Sequence, residues 1–144
     1  MEKLIDQLKR HEGLRLRPYK CTAGKWSIGY GCNLTDAGID HEGLVWNKSY
    51  AERVLRNHVG KCNVVFPDIK TYQSLNPCRQ AVLTNMVFNI GSGGVLRFKR
   101  MLSALYRKDF EDASKEMLNS RWAKQVGSRA TELAEQMRTG EWQF

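Results

Sequence analysis

The spacing of the apolar residues changes twice along this chain, from helical to alternating and back. The fold must therefore contain both helices and strands. Residues 2–12 carry apolar side chains at helical spacing and are followed by Gly13, a residue typical of a helix C-terminus. Residues 26–31 instead alternate large and small side chains, and the preceding Thr22-Ala23-Gly24 is turn-like, so residues 19–31 are predicted to form a β-hairpin. From about Lys48 the helical spacing returns and largely continues. The sequence therefore predicts an α+β protein, with a small hairpin near the N-terminus and a mainly helical body.

Five further helices are predicted in that body. Asn76-Pro77 is an N-cap followed by a first-turn proline, and it opens a helix that ends at Gly91. Asp109 is predicted to begin another helix, and a last one runs from about Ser128 to Thr139-Gly140. The other two helices are predicted from their apolar faces alone, which are formed by Ala51, Val54 and Leu55 and by Phe98, Met101, Leu102 and Leu105.

The composition indicates one globular domain that associates with an anionic partner. A chain of 144 residues is too short for two ordinary enzyme domains. Lys and Arg number 23 against 15 Asp and Glu, so the net charge is +8, which favours nucleic acid, teichoic acid, lipopolysaccharide or peptidoglycan. Because no helix carries a concentrated basic face, we expect no nucleic acid. We also expect neither a membrane span nor a secretory signal, and hence a protein made in a cytoplasm and left there.

The cysteines do not predict a metal site. Cys21, Cys32, Cys62 and Cys78 include no C-x-x-C pair. His58 and Cys62 stand at i and i+4, which resembles metal-ligand spacing only weakly. We therefore expect ordinary thiols of a reducing compartment, with no metal and no cofactor.

Glu12, Cys21 and Ser27 form the candidate catalytic group. Glu12 ends the first predicted helix, where the negative end of the helix dipole favours a protonated carboxyl group, as a general acid requires. Cys21 and Ser27 lie on the two arms of the hairpin, and Ser27 shares its face with Gly29 and Gly31. That face is predicted to admit a bulky ligand close to the backbone. The opposite face is predicted to pack inward through Trp26, Ile28 and Tyr30. Spacing alone also allows an explanation without catalysis, in which the glutamate is solvated and the glycines mark a turn.

Several blocks of sequence, taken in order, resemble the phage-type lysozymes, the endolysins of glycoside hydrolase family 24. The blocks are HEGLRLRPY at 11–19, WSIGYG at 26–31, NMVFNIG at 85–91, SRW at 120–122 and RTGEW at 138–142. The segment from about 36 to 75 resembles the family poorly and is shorter than the corresponding segment of a family relative. The resemblance implies a cleft between a hairpin lobe, about residues 13–47, and a helical lobe formed by residues 1–12 and 48–144.

By this resemblance the cleft binds bacterial peptidoglycan, and the enzyme cuts the β-1,4 bond between N-acetylmuramic acid and N-acetylglucosamine. The resemblance also implies a monomer that has no stable membrane anchor. It waits in the host cytoplasm until a holin opens the inner membrane, and then acts on the cell wall in the periplasm. Two alternatives stay open, a lytic transglycosylase that forms 1,6-anhydro ends and a non-catalytic cationic module that binds the cell wall.

The resemblance also implies roles for individual residues. Glu12 corresponds to the general acid, and Ser27 to a threonine whose hydroxyl helps to place the attacking water. Phe88 corresponds to an aromatic residue of the substrate cleft, and Arg129 to an arginine that approaches the catalytic glutamate across it. Gly29, on the hairpin face described above, is the third predicted substrate contact.

Two positions depart from the family pattern. Cys21 stands where the family usually has an aspartate, although cysteine also occurs there. A thiol with an ordinary pKa of about 8.5 is only slightly ionised at neutral pH, so its role as base, nucleophile or spectator stays open. A base or electrostatic role is favoured, since an inverting glycosidase needs a second group to activate water. Cys32 stands where the family usually has a histidine, and it could pair with Cys21 under oxidation.

Overall fold

A first helix, α1 (Glu2–Glu12), precedes a three-stranded antiparallel sheet in the computed structural model, which describes residues 1–20, 24–34, 43–62 and 68–144. The strands are β1 (Arg15–Lys20), β2 (Trp26–Gly29) and β3 (Cys32–Asn33), in the order β1-β2-β3. Ser27 lies opposite Tyr19 on β1 and opposite Asn33 on β3. The predicted helix is therefore confirmed, and so is a hairpin, although its first strand begins at Arg15 rather than at Tyr19. Thr22 and Ala23 of the predicted turn lie outside the described residues. The third strand was not predicted, because two residues are too few to show a period.

Helix α2 (Lys48–Gly60) completes the first of two compact units, Met1–Lys61. Asn47 caps it, since its side chain accepts a hydrogen bond from the Tyr50 amide at 2.8 Å. Ion pairs join α1 and α2: Lys9 to Glu52 at 3.1 Å, and Arg56 to Glu2 at 2.7 Å. The two helices thus hold each other through side chains at both ends of α1.

The second unit, Cys62–Phe144, is helical in its described part. Its helices are α3 (Ile69–Ser74), α4 (Pro77–Leu96), α5 (Lys99–Tyr106), α6 (Phe110–Leu118), α7 (Arg121–Val126) and α8 (Ser128–Thr139). The largest side chains of its core are fully buried and are mainly methionine and leucine: Leu83, Met86, Met101, Leu105, Met117, Leu133 and Met137. Each of the helices α4 to α8 contributes buried side chains to this one core, and α7 does so through Trp122.

The predicted helix ends in this unit are confirmed by their caps. The side chains of Asn76 and Asp109 accept hydrogen bonds from backbone amides three residues later. Gly91 interrupts α4 with a φ of 79°, where the sequence predicted a helix end. Gly140 follows α8 in the left-handed conformation. Two helices, α3 and α7, were not predicted, because six residues each carry little periodic signal.

The α+β class is confirmed, whereas the predicted single domain and its lobe boundaries stay predictions. Within the described ranges, no helix is long and apolar enough to cross a membrane.

Candidate active site

Glu12 is the last residue of α1, and its carboxyl group lies directly against Gly31. A Cβ atom placed on Gly31 would be only 2.5 Å from Glu12 Oε2, closer than real side chains approach. Gly31 also has a φ of +72°, which L-residues with a side chain rarely adopt. The backbone conformation therefore favours glycine, and any side chain here would force the end of the Glu12 side chain to move. The end of the helix and the glycine-rich ribbon are thus brought together around a half-buried carboxyl group.

The hydroxyl group of Ser27 is buried and has a fixed partner. Ser27 is 3% exposed, and its Oγ donates a hydrogen bond to Asn33 Oδ1 at 3.3 Å. Asn33 lies directly opposite on β3, so the antiparallel register creates this pair. Sequence reasoning missed Asn33 because it did not predict β3.

The side of Gly29 that lacks a side chain is occupied by Trp46. A Cβ atom on Gly29 would lie 2.8 Å from the indole ring. The Trp46 amide donates to the Leu16 carbonyl of β1 at 2.9 Å, and Tyr50 meets the indole edge to face at a centroid distance of 4.8 Å. The open space predicted beside Gly29 is therefore filled by the chain itself, and contact of Gly29 with a substrate stays a prediction.

One expectation for the other face of β2 is wrong. Ile28 and Tyr30 are buried, as predicted, but Trp26 is 37% exposed. Lys20 Nζ lies 5.4 Å from the centroid of the Trp26 ring, a cation–π contact at the surface of the sheet. Trp26 stands at the end of the short strand β2, where alternation no longer ensures burial.

Two further polar side chains of the first unit bear on the site. His58 on α2 is an exposed residue; partial desolvation by burial lowers its pKa, while the negative charge of Glu12 acts in the opposite direction and the positive charge of Lys61 adds to the lowering. Cys32 follows Gly31 and is half-buried, and burial raises the pKa of its thiol. Cys21 lies outside the described residues, so its role and its pairing with Cys32 stay predictions.

In the second unit, Arg129 of α8 is held by Asn85 of α4. The Arg129 Nε and Nη2 atoms donate to Asn85 Oδ1 at 3.2 and 2.8 Å, and Asn85 is fully buried. One turn further along α4, Asn89 Oδ1 accepts a hydrogen bond from Trp122 Nε1 at 2.7 Å. Phe88 lies between these two asparagines in sequence and is half-buried. Neither asparagine was predicted to be functional, although their spacing of four residues within a helical pattern was a usable signal.

These arrangements provide two chemical capabilities. A half-buried carboxyl group at the C-terminal end of a helix, next to a backbone position without a side chain, is a group of the kind that can exchange a proton with a ligand. A buried hydroxyl group with an ordered acceptor has a defined orientation, which is useful for holding a nucleophilic water.

The chain matches the phage lysozyme family over residues 9–139. It is 33% identical to an endolysin of Acyrthosiphon pisum secondary endosymbiont phage 1, over 89% of this chain and 84% of that protein. It is 29% identical to a probable T4-type lysozyme 1 of Dictyostelium discoideum, over 94% and 93% of the two chains. It is also 31% identical to the pre-baseplate central spike protein of Enterobacteria phage T4; the match covers 95% of this chain but spans only 28% of the spike protein.

The match to the family includes Glu12, Gly31 and the other residues of the first unit described above. It also includes Asn85 and Arg129 in the second unit. The chain therefore belongs to the phage lysozyme family, whose members are muramidase-type glycoside hydrolases that act on the bacterial cell wall.

Proposed function

We propose that this protein hydrolyses the β-1,4 bond between N-acetylmuramic acid and N-acetylglucosamine in bacterial peptidoglycan. The observation that carries the proposal is the contact of the Glu12 carboxyl group with Gly31, within a segment that matches the family. The net charge of +8 supports a polyanionic substrate such as the cell wall.

The proposed reaction is a single displacement at the anomeric carbon. Glu12 donates its proton to the glycosidic oxygen while the bond from that oxygen to the anomeric carbon breaks. A water molecule positioned by the Ser27 hydroxyl forms the new bond at the anomeric carbon. Cys21, as its thiolate, accepts the proton that the water releases. If the thiolate only stabilises the positive charge that develops on the sugar, that proton passes to the solvent. Phe88, Gly29 and Arg129 are proposed to contact the glycan.

In its biological setting the protein is proposed to be an endolysin that lyses the host cell. It would act as a monomer with no nucleic acid partner, reaching the wall in the periplasm from the host cytoplasm after a holin opens the inner membrane. The matched endolysin supports this setting.

Replacement of Glu12 by glutamine tests the proposal, because the amide keeps the shape of the side chain but cannot donate a proton as an acid. We expect clearing of a suspension of purified sacculi to slow by at least about 100-fold, the usual contribution of a general acid. A variant that clears sacculi at the parental rate would show that charge, rather than catalysis, causes lysis.

Mass spectrometry of the wild-type digest should give reducing-end muramic acid, whereas 1,6-anhydro ends would indicate a transglycosylase.

The match to the T4 spike protein favours a second setting for the same chemistry. In that setting the lysozyme unit is a component of a phage particle and cuts the wall from outside. Mass spectrometry of purified particles separates the two settings, since an endolysin is expected in the lysate but not in stoichiometric amounts in the particles.

A further inference from the structure

Helix α5 of the second unit lies between two surface grooves. The larger groove has a volume of about 730 Å³ and the smaller about 520 Å³. Lys99, the first residue of α5, lines both of them. The helix and its two flanking grooves, here called the α5 surface, therefore form one continuous feature.

The α5 surface carries an excess of positive charge. Its larger groove is lined by four exposed cations and one carboxylate, and the residues concerned are Arg97, Lys99, Arg100, Arg121 and Glu116. In the described part of the chain, none of these four cations forms an ion pair. Arg107, at the other end of α5, is by contrast paired with Asp109 and Asp112. The four cations are thus available for an external anion.

The same surface exposes apolar and aromatic side chains. Lys99, Leu102, Ser103 and Tyr106 line the smaller groove together and recur at the spacing of one helix face. Tyr106 is 68% exposed and Leu102 is half-buried. The only carboxylate lining this groove, among the described residues, is Asp68, which already accepts hydrogen bonds from Lys70 N and Thr71 Oγ1. The α5 surface therefore combines unpaired cations with an exposed ring and an aliphatic side chain.

From this combination we propose that the α5 surface binds the face of a membrane rich in anionic phospholipid. Cations attract the headgroup phosphates, while tyrosine and leucine enter the interfacial region. A carboxylate-bearing wall peptide could also pair with the cations, but it would not contact the apolar face formed by Leu102 and Tyr106. Such binding is peripheral, as no helix within the described ranges could span the bilayer. The inference rests on the proposed function in one respect, since an endolysin in the host cytoplasm would meet the inner membrane of its host.

Flotation of the full chain with lipid vesicles tests the proposal. Vesicles of phosphatidylglycerol with phosphatidylethanolamine should retain the protein at about 0.1 M salt, and vesicles of phosphatidylcholine should not. Replacing Lys99 and Arg100 by glutamine should weaken binding about 25-fold, because each cation near an anionic surface contributes roughly fivefold. Tyr106→Ser should weaken binding with no change in charge.

A double variant at Lys3 and Lys48, also to glutamine, is the matched control. Both lysines are exposed, and neither forms an ion pair in the described part of the chain. If this control loses as much binding as the Lys99 and Arg100 variant, the effect comes from net charge alone and the proposal is overturned. Equal binding to both kinds of vesicle, or to neither, would also overturn it.

Digestion of membrane-free sacculi keeps this inference separate from the proposed function. The Lys99 and Arg100 variant should digest sacculi at the wild-type rate. If it digests them more slowly while its vesicle binding is unchanged, the groove serves the wall polymer and the membrane proposal is wrong. If the wild type fails to digest sacculi at all, the proposed function fails, while the vesicle result is still decided by its own comparison.

Discussion

Gly31 shows how one absent side chain determines where the proposed catalytic carboxyl group can lie. The Glu12 carboxyl group occupies the space that a Cβ atom on residue 31 would need. The sequence predicted that Gly29 and Gly31 leave room for an external ligand. Instead, Gly31 and Gly29 make room for Glu12 and Trp46 of the same chain. Periodicity identifies small residues on a strand, but it cannot identify what fills the space beside them.

Gly31→Ala should therefore impair both activity and stability. The new methyl group displaces Glu12, and the positive φ strains an alanine by about 1–2 kcal/mol. Gly24→Ala is the matched control, because Gly24 has a φ of +79° but nothing within 4 Å of its Cβ position. Urea unfolding and sacculus clearing should show similar losses of stability in the two variants, with a much larger loss of activity in Gly31→Ala. Equal activities would show that the position of Glu12 does not depend on Gly31.

Cys21 is the residue whose chemistry departs furthest from the family pattern. If its thiolate acts as base or as a negative charge near the sugar, Cys21→Asp should retain activity, since a carboxylate serves either role. Cys21→Ser should lose about 100-fold or more, because a hydroxyl group remains neutral. Rates of sacculus clearing across pH 5 to 9 provide the measurement. Wild-type activity in Cys21→Ser, or after alkylation of the thiol, would make Cys21 a spectator.

At the scale of secondary structure, local sequence explains the starts of helices better than their mutual arrangement. Asn76 and Asp109 were recognisable as N-caps, and both make the expected hydrogen bonds. Arg79, only three residues after Asn76, was not singled out, yet it joins three helices. Its Nε and Nη2 atoms donate to the Met137 and Arg138 carbonyls of α8 at 2.7 and 3.0 Å, and its guanidinium lies 3.6 Å from the centroid of the Phe110 ring. Contacts 58 residues apart leave no trace in local periodicity.

Arg79→Ala should lower the free energy of unfolding by about 2–3 kcal/mol, since hydrogen bonds from a charged donor to the last carbonyls of α8 are lost. Arg79→Lys should recover only part of this loss, because an ammonium group lacks the planar fork that reaches two carbonyls. Arg100→Ala serves as a control, as that side chain is exposed and unpaired within the described part of the chain. If Arg79→Ala lowers the free energy of unfolding no more than Arg100→Ala does, Arg79 does not stabilise the fold by joining these helices. Urea denaturation of the three variants at one pH supplies the comparison.

At the scale of the whole molecule, the order of elements could be predicted and the polar partners could not. The change from helical to alternating spacing and back predicts α1, the hairpin and five of the later helices, whereas β3, α3 and α7 were missed. The partners of the candidate residues lie on elements that are distant in sequence or too short to recognise, as with Asn33 for Ser27 and Asn85 for Arg129. The fold therefore determines what holds these residues, and the chemistry assigned to the residues themselves stays a prediction.

The pH dependence of stability offers a test of how His58 is placed in the whole fold. Burial lowers the pKa of His58 in the folded state, against the opposing charge of Glu12, so the unfolded chain binds a proton there more readily. This contribution to stability is complete above the unfolded pKa of about 6.5 and is lost as the pH falls through the window below it. His58→Gln removes the titration, so its free energy of unfolding should fall less than that of the wild type between pH 8 and pH 5. Urea denaturation at both values gives the difference directly, and the other titrating groups cancel between the two proteins. If the two proteins lose the same stability over this range, the imidazole must be equally easy to protonate in the folded and unfolded states, and its partial desolvation in the folded chain would have no electrostatic consequence.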